Sequence, residues 1–253
     1  MRRALLVFVA IPFLPAAVDA APFEWDLGVG AVHRSLREEG ARGERLVREA
    51  GDLTQVEARA RQGPLGLKLR VAQGRLGYTG QTQSGLPLLT STLHTEAELE
   101  AGWTVWPSPR WGDVSVSISQ LAFRRGIAST PLAGGLTETS MLTLPGISWR
   151  SPEWTPLRLQ VGAGLRGSVR HRFDVDFGGL YDTARMEGGH RNEAELQVTA
   201  QPLQGWQFEL GWRQAWQKAS DDAPLSKDGA PVGSLRQPRI RMDDVSFSAR
   251  YSF

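Results

Sequence analysis

Cysteine is absent from all 253 residues, so there is no disulfide, no thiolate metal site and no cysteine to carry a lipid. Past residue 20 no stretch approaches the ~20 consecutive apolar residues that a spanning helix needs, which excludes a helical membrane protein. Neither sign of charge dominates. The chain has 29 Lys and Arg against 27 Asp and Glu, and the signs alternate instead of clustering, so no nucleic-acid partner is expected. Histidine is scarce, with four in all, and no His/Asp cluster has metal-ligand spacing. No Gly-rich phosphate loop leads from a strand into a helix, so neither a metal nor a cofactor is expected.

At the N-terminus Arg2 and Arg3 precede an apolar run over residues 4–14, and Val18-Asp19-Ala20 forms a small-residue cleavage site. Residues 1–20 therefore read as a secretory signal peptide cut near Ala20. The run is too short to anchor comfortably, and Pro12 and Pro15 interrupt it. Loss of Arg2, Arg3 and Asp19 takes the formal charge from +2 to +1. Residues 21–253 fit one β domain.

The plainest pattern lies at the other end. Val245, Phe247, Ala249, Tyr251 and Phe253 alternate with Ser246, Ser248, Arg250 and Ser252. Period two means a strand with one oily and one wet face. Nine further segments read the same way: 24–35, 52–61, 65–76, 91–105, a strand from 113, 140–150, 157–170, 190–200 and 206–217. Leu121 and Phe123 break the parity of Val114, Val116 and Ile118, which predicts a bulge near Gln120. Pro145 weakens the sixth segment. Connections alternate between short turns, such as 62–64, 106–112, 151–156 and 201–205, and long loops, such as 36–51, 77–90, 171–189 and 218–237.

An alternating last strand ending on Phe253 resembles the C-terminal strand of Gram-negative outer-membrane β-barrels. The resemblance implies an all-β, closed, antiparallel, up-and-down barrel of about ten strands, with eight or twelve as alternatives. It also implies outer-membrane lipid and lipopolysaccharide as surroundings, and reading of the last strand by the barrel-assembly machinery. Short turns at one end and long loops at the other fit such a barrel. Trp25, Trp103, Trp106, Trp111, Trp149, Trp154 and Trp206 fall near the short-turn end, with Tyr251 and Phe253. Amphipathic rings prefer the headgroup level, so these nine form an expected interfacial girdle.

The wet faces carry Glu57, Arg59, Lys68, Arg70, Glu96, Glu98, Glu100, Arg166, Glu193, Glu195 and Arg213. Hairpin geometry pairs Glu57 with Arg70, Arg59 with Lys68, Arg70 with Glu96, Lys68 with Glu98, Arg166 with Glu195 and Arg213 with Glu193. One reading is a charge-plugged lumen, since a ten-stranded barrel is little wider than the eight-stranded kind that side chains fill. The other is a narrow polar pore, with Glu96, Glu98 and Glu100 attracting cations.

Two enzymatic readings stand beside these. Length and strand count resemble the omptin proteases, whose Asp pair and Asp–His pair lie at the outer rim. Here the rim offers Asp221, Asp222, His171, Asp174, Asp176 and His190, without that family's local motifs. His33-Arg34-Ser35 has the His-x-Ser spacing of the lipid A deacylase barrels, with both side chains on the lipid-facing parity, but it lacks the neighbours of that motif. The polar loop 78–85 suits glycan or protein contact. The expected role is non-enzymatic: a structural, surface-contact or narrow-pore protein.

Overall fold

Alternation becomes strand throughout the computed structural model, which describes residues 22–40, 42–81, 86–155 and 157–253. The signal-peptide reading and part of the 78–85 loop lie outside the described residues. The strands are β1 (Glu24–Glu39), β2 (Arg45–Gln62), β3 (Leu65–Gln81), β4 (Pro87–Trp106), β5 (Asp113–Ile127), β6 (Leu136–Arg150), β7 (Gln160–Gly167), β8 (Arg170–Asp176), β9 (Ala184–Glu187), β10 (Arg191–Leu203), β11 (Trp206–Gln217), β12 (Ala223–Lys227), β13 (Ala230–Leu235) and β14 (Arg239–Ser252).

Each neighbour pairs antiparallel from β1 round to β6. β6 then pairs with both β7 and β8, two halves of one interrupted strand. The ring continues through β10, β11 and β14 and closes where β14 pairs with β1. Counting β7 and β8 together, ten strands surround one lumen. Closure of the ring removes its own open edge, as a bilayer requires, while β9 and the β12–β13 hairpin lie outside the ring. Short turns at one end use glycines with positive φ, Gly63 at 55° and Gly205 at 74°, a region that L side chains avoid.

The strands run further than the polar loops suggest. The expected loop over 36–51 shrinks to residues 40–44, and β3 and β4 take up most of 77–90. Polar outward residues still satisfy their backbone in the ladder, so polarity did not end the strand. The expected loop 171–189 holds β8 and β9, and 218–237 holds the β12–β13 hairpin. With 20 residues, β4 is ~65 Å long, or ~50 Å tall at a tilt of ~40°. An apolar band is only ~25 Å tall, so the loop end stands well clear of it.

Two expectations about strand regularity change. There is no bulge near Gln120: β4 and β5 pair without interruption from Thr92–Ile127 to Thr104–Ser115, and the register shifts only between Thr104 and Trp106. Leu121 instead points inward, where it packs fully buried with Leu142 and Leu144. Part of the lumen is oily, so apolar did not mean outward there. The expected strand 157–170 is broken between β7 and β8, opposite Pro145. Proline has no N–H to give the ladder. The chain resumes pairing when the Val169 amide donates to the Thr143 carbonyl, 3.0 Å away.

Candidate functional site

Strand parity sorts the side chains. On β1, Trp25, Leu27, Val29, Ala31, His33, Ser35 and Arg37 face out, while Val32, Arg34, Leu36 and Glu38 face in and are buried. The same sorting on each strand puts a dense charge cluster inside. Arg34, Arg59, Lys68, Arg70, Arg166, Arg191, Arg213 and Arg250 face Glu57, Glu96, Glu98, Glu100, Glu193, Glu195, Glu209 and Asp244, eight cations against eight carboxylates.

The contacts cross the lumen as well as the strand gaps. Arg34 binds Asp244 with two parallel hydrogen bonds of 2.8 Å and Glu96 with a third. Arg213 donates to Asp244 at 2.7 Å and to Glu96 at 3.0 Å. Arg213 is on β11 and Glu96 on β4, five strands apart round a ring of ten, so this contact joins opposite walls. Arg70 reaches Glu96 at 2.6 Å and Glu98 at 2.5 Å, and Arg166 binds Glu98 and Glu193. Planar guanidinium forks suit such shared carboxylates.

All eleven charged residues marked by the sequence line this lumen, but their partners differ in part. Glu57 stands opposite Arg70, and Arg59 opposite Lys68, at the expected register. Four pairings move by two residues: Arg70 faces Glu98, Lys68 faces Glu100, Arg166 faces Glu193 and Arg213 faces Glu195. The β3–β4 turn is centred later than residue 83, which slides the whole hairpin. Arg70 still touches Glu96 because its side chain is long enough to span the extra step.

Several residues of the cluster were not singled out by pattern. Parity alone marks Arg250 and Glu209 as inward, but Arg34 and Asp244 sit where the alternation thins into polar residues. Nearer the loop end, Arg125 binds Glu38, Glu49 and Glu138, and His94 binds Glu49 at 2.5 Å with both side chains fully buried. Two polar cavities remain below. One of about 160 Å³ opens at the short-turn end beside Arg61, Glu100 and Arg150. One of about 70 Å³ lies against Arg59, Glu98, Arg166 and Asp244.

The enzymatic candidates do not converge. His171 is buried on β8, its Nδ1 2.9 Å from the Gly189 carbonyl. Asp221 and Asp222 are exposed ahead of β12 and make no bond to it. Asp174 pairs with Arg172 at 3.1 Å, Asp176 accepts from the Gly178 amide, and His190 Nε2 lies 2.9 Å from Asn192. His33 and Ser35 do share the outer wall of β1. His33 Nδ1 lies 2.8 Å from Asp52 on β2, an orientation a general base would use, yet Ser35 makes no hydrogen bond to His33. Among the described residues no cluster of His, Asp and Glu could hold a metal ion.

The nine girdle aromatics are all exposed at the short-turn end. Trp206 packs edge-on to Tyr251, with centroids 5.3 Å apart, and Tyr251 to Phe253 at 5.1 Å. The Trp149 indole donates to the Trp111 carbonyl at 2.8 Å. Trp212 and Trp216 lie further up the outer face of β11.

No protein-family model and no curated protein matches this chain. Solved structures do. The outer membrane protease OmpT from Escherichia coli aligns over 94% of this chain and 99% of its own, at 10% identity and a TM-score of 0.54. Neisserial surface protein A aligns over 90% and 97% at 12% identity, with a TM-score of 0.41. The translocator domain of the autotransporter NalP from Neisseria meningitidis aligns over 90% and 88% at 14% identity, with a TM-score of 0.44. At these identities the likeness is one of fold.

Proposed function

We propose that this chain, a Gram-negative outer-membrane β-barrel, is closed to solutes at mid-height and works through its outer surface. The observation that carries the reading is the contact of Arg213 with Glu96 between opposite walls, with Arg34 and Asp244 beside it. Desolvated charges hold their places only when each is paired, and here each sign has its counterpart. Such a network resists the hydration that a conducting path needs. On this reading residues 1–20 direct export and are removed near Ala20, β14 is the strand recognised by the assembly machinery, and the girdle sits at the periplasmic interface.

The test is conductance of the refolded barrel in a planar bilayer, with heat-modifiable migration confirming that it is folded. The expected result is no discrete openings. Wild-type openings whose cation preference falls in Glu98→Gln would overturn the sealed reading and establish a narrow charged pore.

A further inference from the structure

The cavity of about 160 Å³ at the short-turn end is far larger than a single water needs, for which ~10–15 Å³ is enough, so it admits a small organic molecule. Its space comes from residues with little bulk. Gly66 on β3 stands opposite Gly102 on β4, and Gly102 opposite Ser117 on β5, all lining the cavity. A Cβ on Gly66 would meet nothing within 4 Å, and one on Gly102 would make only ordinary contacts at 3.7 and 3.8 Å. Nearer the turns, Ser115 and its register partner Ser148 continue the wall with hydroxyls.

The charges of this mouth are unequally used. Lys68 pairs with Glu100 at 3.4 Å, and Arg59 pairs with Glu57 and Glu209. Glu195 lies 4.0 Å from Arg166. Asp26 accepts from the Ser252 hydroxyl, and Asp113 accepts from the Ser108 amide at 3.2 Å. Arg61 on β2 and Arg150 on β6 are left over. Both line the cavity, and among the described residues neither guanidinium has a carboxylate within ion-pair reach. Arg150 is half-buried, and its register partner Asp113 is turned to the Ser108 amide instead. Among the charges acting most strongly on Arg150 are those of Arg61 and Arg59, both of its own sign. Two guanidiniums facing one cavity without a counter-charge are unfavourable, and an anion between them relieves this.

We infer that this mouth is a binding site for a small hydroxylated organic acid, a sugar acid with one negative charge, that enters from the short-turn end. Arg150 and Arg61 take its carboxylate, which matches the planar guanidinium fork. The Ser115, Ser117 and Ser148 hydroxyls meet its ring, and Glu100, Glu195 and Asp113 accept from its hydroxyls. These carboxylates also set a limit, because they repel a second negative charge and so favour a monoanion over a dianion. The inference goes beyond the surface reading and does not depend on the seal at mid-height. Conductance tests the seal and ligand binding tests the mouth, so failure of one is distinguishable from failure of the other.

The experiment is calorimetric titration of the full refolded barrel in detergent. The probes are glucuronate, glucose as its uncharged counterpart, acetate as a charge without the ring, and inorganic phosphate. Wild type is expected to bind glucuronate at least about tenfold more tightly than any of the other three. Arg150→Gln should lose that preference while the urea unfolding midpoint holds or rises, since no native ion pair is broken. Arg150→Lys, which keeps the charge without the fork, should recover part of it. Gly102→Leu keeps every charge and fills the cavity, and should abolish binding. Glucuronate bound no better than glucose or acetate overturns the inference. So does phosphate bound as tightly as glucuronate, which would make the mouth a general anion site. Affinity unchanged in both Arg150→Gln and Gly102→Leu also overturns it. If Gly102→Leu does not fold, the Arg150 variants decide: equal affinity in wild type, Gln and Lys forms overturns it as well.

Discussion

Gly28 and Arg250 face each other across the seam between the first and last strands of the barrel, and the Arg250 side chain fills the place a Cβ on residue 28 would take. Gly146 stands in the same relation to Arg166. In each pair a missing side chain on one strand lets a long guanidinium lie across it toward its carboxylates. Gly28→Val should therefore push Arg250 off Glu57 and Glu209 and destabilise the barrel by about 1–3 kcal/mol, as overpacking does. Gly66→Ala, where nothing lies within 4 Å, is the matched control and should change little. Urea unfolding in detergent measures both. Equal effects would mean that only strand propensity was disturbed.

Asp244 serves two arginines, so its loss should cost more than loss of either partner. Asp244→Ala leaves Arg34 and Arg213 buried with Glu96 as their remaining close acceptor. The expected destabilisation is about 3–5 kcal/mol, the usual result of breaking a buried pair from one side. Arg34→Met combined with Asp244→Leu should regain much of it. A double variant no better than the single one would show that packing, and not unpaired charge, sets the loss.

A serine-directed fluorophosphonate should not label the refolded protein, because Ser35 is not hydrogen-bonded to the His33–Asp52 pair. Catalytic contacts can tighten only when substrate binds, so the reaction is best run with lipid present. Labelling that disappears in Ser35→Ala and in His33→Ala would make the outer wall of β1 a hydrolase site and displace the non-enzymatic reading.

Trp206 and Trp216 should report opposite faces of the same membrane. They are ten residues apart on β11, ~25 Å along the axis. In variants that keep one tryptophan each, quenchers carried near the lipid headgroup should act more strongly on both than quenchers at the chain ends. Deep quenching of Trp216 would move the upper boundary of the apolar band toward the loop end.

The outline of this barrel was open to reading because lipid imposes a regular demand. Leu65, Leu67, Leu69 and Val71 alternate with Lys68 and Arg70 since every second residue meets hydrocarbon. Above the apolar band that demand stops. Arg37, Arg45 and Arg48 are exposed while their backbones stay in the ladder, so β1 and β2 run on where composition suggested a loop. Inside, no single solvent governs. Leu121, the ladder partner of Glu98, packs inward with Leu142 and Leu144, and a rule that equates apolar with outward misplaces them. Charge partners were the least legible part. They depend on register, which a one-residue move of the turn's centre shifts by two positions, and on contacts such as Arg213 with Glu96 that no hairpin relates.

The bond between Arg34 and Asp244 joins residues 210 positions apart. Before β14 docks on β1, Arg34 lacks its forked partner and Glu57 lacks Arg250. A partly assembled sheet is then electrically incomplete along its whole open margin. Pairs within a hairpin, such as Arg70 with Glu98, can form early, but those across the lumen and the seam wait for the ring to close. Contacts of such long range make folding slow and steeply cooperative. The interior charges thus act as a closing signal: the ring gains its rigidity in one step, when its last strand arrives.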